Sequence, residues 1–307
     1  MSEAAPQNTA IVALVKTQDR AEGVRRVIEL LGCNPVNGKT VFLKPNFNSA
    51  DPAPGSTHNT TLEALVDTLW TMGATSITVG DRSGMGNTRR VMEEKGIFAM
   101  AKRLGFDVVA LDELSREQWE VVQFPSSYWQ GGFPLPEPAL RADTIVQTCC
   151  LKTHRFGGHF TMSLKNSIGL VAKYLPGSDY NYMAELHSSP KQREMIADVN
   201  AAYETDLVVM DGAEAFVRGG PDRGDLADPG VFLASTDRVA IDAVGVAILR
   251  QLGTTAEVSR GHIFDLGQIA RAAELRVGVT TPQEIKIITD DPGAAKYAEV
   301  LRQFLEA

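Results

Sequence analysis

What most constrains this chain is a repeated pairing: a short apolar run ending in a polar or charged residue, then an amphipathic stretch with helical spacing. AIVALVK (10–16) begins it, and helical periodicity follows over about 21–31. TVFLKPN (40–46) is a second run, and the helical stretch after it, 61–73, closes on a glycine, a usual C-terminal stop. The pattern returns at 76–81, 106–111, 143–151, 206–212, 230–235 and 284–289. Runs this short and this continuously apolar suit strands covered on both faces. Strands alternating with helices imply βαβ units, so the expected class is α/β: a mostly parallel, doubly wound sheet with helices on both faces and room for two lobes.

The 307 residues are long enough for one large α/β domain, and the sequence reads as a single one over 1–307. Two segments interrupt the pattern. FPSSYWQGGFPLPEP (124–138) is rich in Pro and Gly and reads as a surface excursion or small β insert, hence a lobe boundary near 124–138. The irregular stretch 174–190 reads as a lid-like insert.

A net charge of −8 and a pI near 5.2 argue against a nucleic acid partner, because phosphate binding relies on clustered basic charge. The first residues, MSEAAPQN, carry no basic region before the first apolar run, so no secretion signal is expected. No run approaches the roughly 20 apolar residues that span a bilayer, so no membrane partner is expected either. The cysteines are Cys33 and the adjacent Cys149 and Cys150, without a CxxC spacing. They suggest buried free thiols rather than a disulfide framework or an iron–sulfur cluster, and a reducing cytoplasm. A homo-oligomer is compatible with all of this.

In open parallel sheets, ligands bind beyond the carboxyl ends of the strands. Four runs deliver polar or charged groups there: Lys44 and Asn46; Asp81, before Gly84 and Gly86; Lys152 and His154; and Asp211, before Gly212. Any one could be a turn residue or a cap. Converging, they would place carboxylates, ammonium groups and an imidazole in one crevice, where their pKa values would be perturbed.

LKTHRFGGHFTMSLKN (151–166) is the densest stretch. Lys152 and His154 leave a strand, Gly157 and Gly158 form a turn, and FTMSLKNSIGLV has helical spacing with Thr161 or Ser163 as cap. Glycines before a helix start let backbone N–H groups approach an anion, and Lys165, about one turn in, can reach back to it. The full spacing of a nucleotide-binding loop is absent. The loop FVRGGPDRGDLADPG (216–230), with Arg218 and Arg223, reads either as a wrap for phosphate or carboxylate or as an ordinary mobile loop.

A divalent metal has a candidate ligand set in Asp81, His154, His187 and Asp211, although His154 and His159 lack the spacing of a helical zinc motif. His58 reads as a helix cap or a substrate-facing group, and His262 as structural. STDRVAIDAVGVAILRQL reads as a helix capped by Ser235 or Thr236, with Asp242 either a buried functional carboxylate or a polar edge position.

The ordered succession VFLKPNFN, ALVDTLWTMGATSITVGDRSG, LKTHRFGGHFTMSLKNSIGL, DLVVMDGAEAF and GVFLASTDRVAIDAVG resembles the DUF362 family over about 10–275. Members of that family often carry a ferredoxin-like four-cysteine module, which is not found in this sequence. The resemblance thus leaves a redox protein that has lost its module as one alternative. KTHRFGGHFTMSLK is also similar in outline, more faintly, to the nickel-pincer lactate racemase family, which would give His154 and Lys165 cofactor-holding roles; its spacing and flanking residues depart from that pattern.

The residues together read as an enzyme of unassigned reaction acting on a small anionic ligand, metal-assisted or not. His154, Lys152, Asp81 and Asp211 form the expected catalytic set; Lys44, Asn46, Gly157, Gly158, Lys165 and Arg218 the anion-binding set. The alternative is a non-catalytic cofactor- or metal-binding accessory protein.

Overall fold

The structure, a computed structural model, describes residues 9–157 and 159–307. Residues 1–8, read above for a secretion signal, and the anion-binding candidate Gly158 lie outside them. β1 (Ala10–Lys16) leads into α1 (Arg20–Leu31), capped by the Asp19 carboxylate, which accepts from Glu22 N, and ended by Gly32 at φ 70°. β2 (Thr40–Lys44), α2 (Asn59–Thr71), β3 (Ser76–Asp81), α3 (Thr88–Glu94), α4 (Ile97–Leu104) and β4 (Asp107–Ala110) follow in the predicted alternation. β5 (Trp119–Val122) and β6 (Phe133–Pro136) pair antiparallel as a separate two-stranded sheet, with β6 inside the Pro- and Gly-rich segment.

After α5 (Glu137–Leu140), β7 (Thr144–His154) runs on past its apolar part, because β8 (His159–Phe160) extends its ladder at Thr153 and His154. The helix expected over 160–171 is a single turn, α6 (Ser163–Asn166), which tightens to a 3₁₀ turn at Ser167–Leu170. Neither Thr161 nor Ser163 caps it. The buried Asp242 carboxylate accepts instead from Ser163 N at 2.8 Å and Leu164 N at 3.0 Å. α7 (Tyr182–Ser188) and α8 (Gln192–Asn200) precede β9 (Leu207–Gly219), β10 (Gly224–Ala227) and β11 (Val231–Ser235). α9 (Arg238–Leu252) is capped by Asp237 rather than Ser235 or Thr236, and α10 (Ala256–Ser259), α11 (Gly267–Glu274), β12 (Ile285–Thr289) and α12 (Pro292–Glu306) complete the chain.

The main sheet runs β12-β1-β11-β9-β7-β2-β3-β4, with β8 and β10 attached to β7 and β9. All neighbours along this path pair in parallel except those flanking β11, so β2, β3, β7 and β9 point the same way. The class is therefore α/β with a mostly parallel sheet. One face packs Val24 and Val27 of α1 and Leu65 and Leu69 of α2 against Val41, Leu43 and Val79. On the other face α9 and α12 cover β1, β9 and β11, while Phe133, Leu186 and Met195 cover Phe42 and Ile145. Burying such side chains stabilises the layers by about 1.5–3 kcal/mol each. Among the described residues no helix is long and apolar enough to cross a membrane.

Candidate functional site

Because β2, β3 and β7 point the same way, their last residues meet at one rim of the sheet. A cavity of about 340 Å³ opens there, lined by Lys44, Asn46, Asp81, Arg82, Lys152, His154 and Lys165, with His187 and Met183 of α7 and the exposed Phe156 at its sides. Lys44, Asp81 and His154, from three separate strands, thus share one crevice.

Lys44 and Asp81 close on each other. Lys44 Nζ is 2.7 Å from Asp81 Oδ1, and the two side chains are 1% and 2% exposed. The carboxylate also accepts from Phe47 N at 2.6 Å and Arg82 N at 2.7 Å. The ammonium donates to Pro45 O at 2.6 Å and Asn166 Oδ1 at 3.0 Å. Burial lowers the Lys44 pKa and the Asp81 charge opposes this; with three donors on the carboxylate and three acceptors on the ammonium, the pair is ionised. Gly169 permits the approach: a Cβ there would sit 2.4 Å from Asp81 Oδ1 and 2.5 Å from Lys44 Nζ. Lys44 therefore has no N–H left over for a ligand.

Lys152 is as deeply buried but has no carboxylate. Its Nζ donates to Gly55 O at 2.6 Å, Asn46 Oδ1 at 2.8 Å and Pro221 O at 3.3 Å, and burial lowers its pKa. Arg82, also buried, donates to the carbonyls of Val171, Ser83 and Ile168. Oxygens of the fold hold both side chains in place.

His154 Nδ1 lies 2.8 Å from Phe156 O and so carries the ring proton it donates, which leaves Nε2 with a lone pair. Burial and the charges of Lys165 and Arg193 push its pKa far down, so the imidazole is neutral. Lys165 makes no hydrogen bond or ion pair to the described residues. Burial, Arg193, Lys152 and Arg82 bring its pKa down to about 7. It is therefore an amine that exchanges its proton at neutral pH. His187, on α7, is within 2.6 Å of Met183 O through Nδ1.

Two expected residues lie elsewhere. Asp211 is not at the rim: its carboxylate accepts from Arg20 Nε at 3.1 Å, Thr61 Oγ1 at 2.6 Å and Ala213 N at 3.0 Å, tying β9 to α1 and α2 on the opposite face. Side chains alternate along a strand, and Met210 packs under α9, so its neighbour points the other way. The apolar run stops at Asp211, but β9 continues to Gly219, which makes Asp211 mid-strand. Arg218 stands exposed in the β9–β10 ladder, 3.8 Å from Asp225, outside the cavity lining. Gly157 has φ 95°, and Arg193 Nη2 lies 2.2 Å from where its Cβ would be; the turn accommodates a guanidinium. The proposed metal set does not assemble: among the described residues no three His, Cys, Asp or Glu groups gather to hold an ion, with Asp81 held by Lys44 and Asp211 across the sheet. His58 is a helix cap, its Nδ1 accepting from Thr60 N. Cys149 and Cys150 are buried free thiols.

Sequence reasoning missed Arg82, Asn166 and Arg193. Arg82 follows Asp81 directly and the strand-end rule could have included it. Arg193 sits on a later helix whose packing against the 155–157 turn has no local signal.

Asp242, capping α6, is wholly buried, and its pKa is raised to about 7, burial outweighing the two N–H bonds. A carboxyl group whose folded pKa exceeds its unfolded value near 3.8 contributes stability below that value and loses it as pH rises through about 7. Urea midpoints should therefore fall between about pH 4 and 7, and D242N should flatten this slope; an unchanged slope would rule out Asp242 as its source.

The family profile described as "Domain of unknown function (DUF362)" matches residues 41–247. No curated protein matches the chain. Among solved structures, the lactate racemase apoprotein from Thermoanaerobacterium thermosaccharolyticum is similar at 14% identity and a TM-score of 0.46, over 98% of this chain and 88% of that one.

Proposed function

The chain belongs to the DUF362 family, a name that states no activity, and we propose from its cleft that it is an enzyme moving a proton on a small anionic metabolite. One observation carries this reading. Arg82 and Lys152 reach the cleft without a carboxylate partner among the described residues, and Asp81, which lines it with them, is already neutralised by Lys44. A cavity with this surplus of positive charge, in a protein of net charge −8, is built for an anion.

Binding alone would not call for a neutral imidazole and a near-neutral amine beside those cations. Lys165, free of partners, takes a proton from the bound anion and returns it; His154 Nε2 accepts a hydrogen bond from a hydroxyl or amino group and orients it. The charges of Arg82 and Lys152 stabilise the negative charge that develops when the proton leaves. Met183 and Ile168 supply apolar wall.

The test pairs calorimetric titration of small mono- and dicarboxylates and phosphate esters with NMR detection of deuterium uptake by the ligand in D₂O. We expect at least one of these anions to bind and to exchange a hydrogen, with K165M abolishing exchange. Binding without exchange would favour the non-catalytic carrier reading, and no binding of any anion would remove both.

A further inference from the structure

Arg193 on α8 is a buried cation outside the cavity lining. It is 7% exposed, Nη2 donates to Phe156 O at 3.0 Å, and Nη1 has no hydrogen-bond partner among the described residues. Its neighbour Glu194 pairs with Lys191 instead. An uncompensated buried guanidinium is destabilising, so packing alone does not account for it. The Phe156 carbonyl it holds is the one to which His154 donates, at 2.8 Å, and Gly157 leaves room for the guanidinium to lie against that turn.

We propose that Arg193 is a positioning residue: it pins the Phe156 carbonyl that orients His154 with Nε2 free, while its uncompensated charge acts on Lys165. This rests on Lys165 being the proton-transfer group proposed above. The charges acting on Lys165 come from four elements: Arg193 on α8, Lys152 on β7, Arg82 after β3, and, where protonated, His154 and His187 on β7 and α7. All are cationic or neutral. Burial is the largest cause lowering the Lys165 pKa and the Arg193 charge comes next, so removing that charge raises it.

The experiment needs no substrate. Lys165 is acetylated with acetic anhydride over pH 5–11 and quantified by mass spectrometry in the wild type, R193Q and R193K, with R193M serving where R193Q does not fold. The His154 ring nitrogens are followed by ¹⁵N NMR. We expect the wild-type labelling midpoint near 7, a rise of about one pH unit in R193Q, and little change in R193K, which keeps the charge. R193Q should also populate both His154 tautomers where the wild type holds one. A loosened turn would move R193Q and R193K alike and would overturn the charge role. A wild-type midpoint above about 9 would overturn the proton-transfer reading and this role together. A midpoint near 7 that R193Q leaves in place, with a single His154 tautomer, would overturn Arg193 alone.

Discussion

Replacing Asp81 with Ala should destabilise the protein by about 3–5 kcal/mol, read as a fall in the urea unfolding midpoint. The change strands the Lys44 ammonium at 1% exposure with only Pro45 O and Asn166 Oδ1 for partners. It also removes the acceptor for the buried Phe47 N, while Arg82 N keeps Gly169 O at 3.0 Å. Replacing both partners together, as D81N with K44M, should recover much of the loss, since no buried charge remains unpaired. A cost below about 1 kcal/mol for the single change would mean that the pair does not close as described. Gly169 offers an independent probe, because a methyl group there meets both charged atoms.

The second large effect concerns Lys165 and has the opposite balance. K165M should lower ligand hydrogen exchange by 10²-fold or more while leaving thermal stability unchanged or higher, because it removes an amine that has no hydrogen-bond partner among the described residues. The pH dependence provides a sign check. An amine whose folded pKa is near 7 against an ordinary 10.5 is protonated in the unfolded chain over that window and largely free in the folded one. The unfolded state then holds more protons, so stability should rise with pH from about 7 to 10, and K165M should remove that rise. A K165M protein that still exchanges its ligand's hydrogen would transfer the acid–base role elsewhere in the cleft.

This contrast also revises what the strand-end residues do. The expected catalytic set gives Lys152 and His154 no part in folding. For Lys152 the structure implies otherwise: Asn46 Oδ1, Gly55 O and Pro221 O converge on its ammonium from three segments, and removing it leaves them without a donor.

Much of the layered architecture was legible in the sequence. Continuous apolar runs such as VFLK and ITVGD, spaced by helical periodicity, admit few arrangements other than a two-faced sheet, because both faces of each strand must be kept from water. Of the polar residues that close those runs, Lys44, Asp81 and His154 line one cavity. The same rule misplaced Asp211, since a strand ends where its ladder loses partners, not where its first charge falls: β9 stays largely buried through Val217 and its ladder runs on to Gly219.

What the sequence by itself determined was the alternation of elements, and with it a common direction for β2, β3 and β7 that brings their ends together. What the tertiary structure alone decided was the ionisation state and availability of each group: Lys44 neutralised, Lys152 held by carbonyls, Lys165 unpartnered, His154 neutral with Nε2 free. Those properties depend on burial and on charges from Arg82 and Arg193, distant along the chain and brought close only by packing. Local spacing carries information about neighbours a few residues apart; the electrostatic field in a cavity sums over every element that walls it.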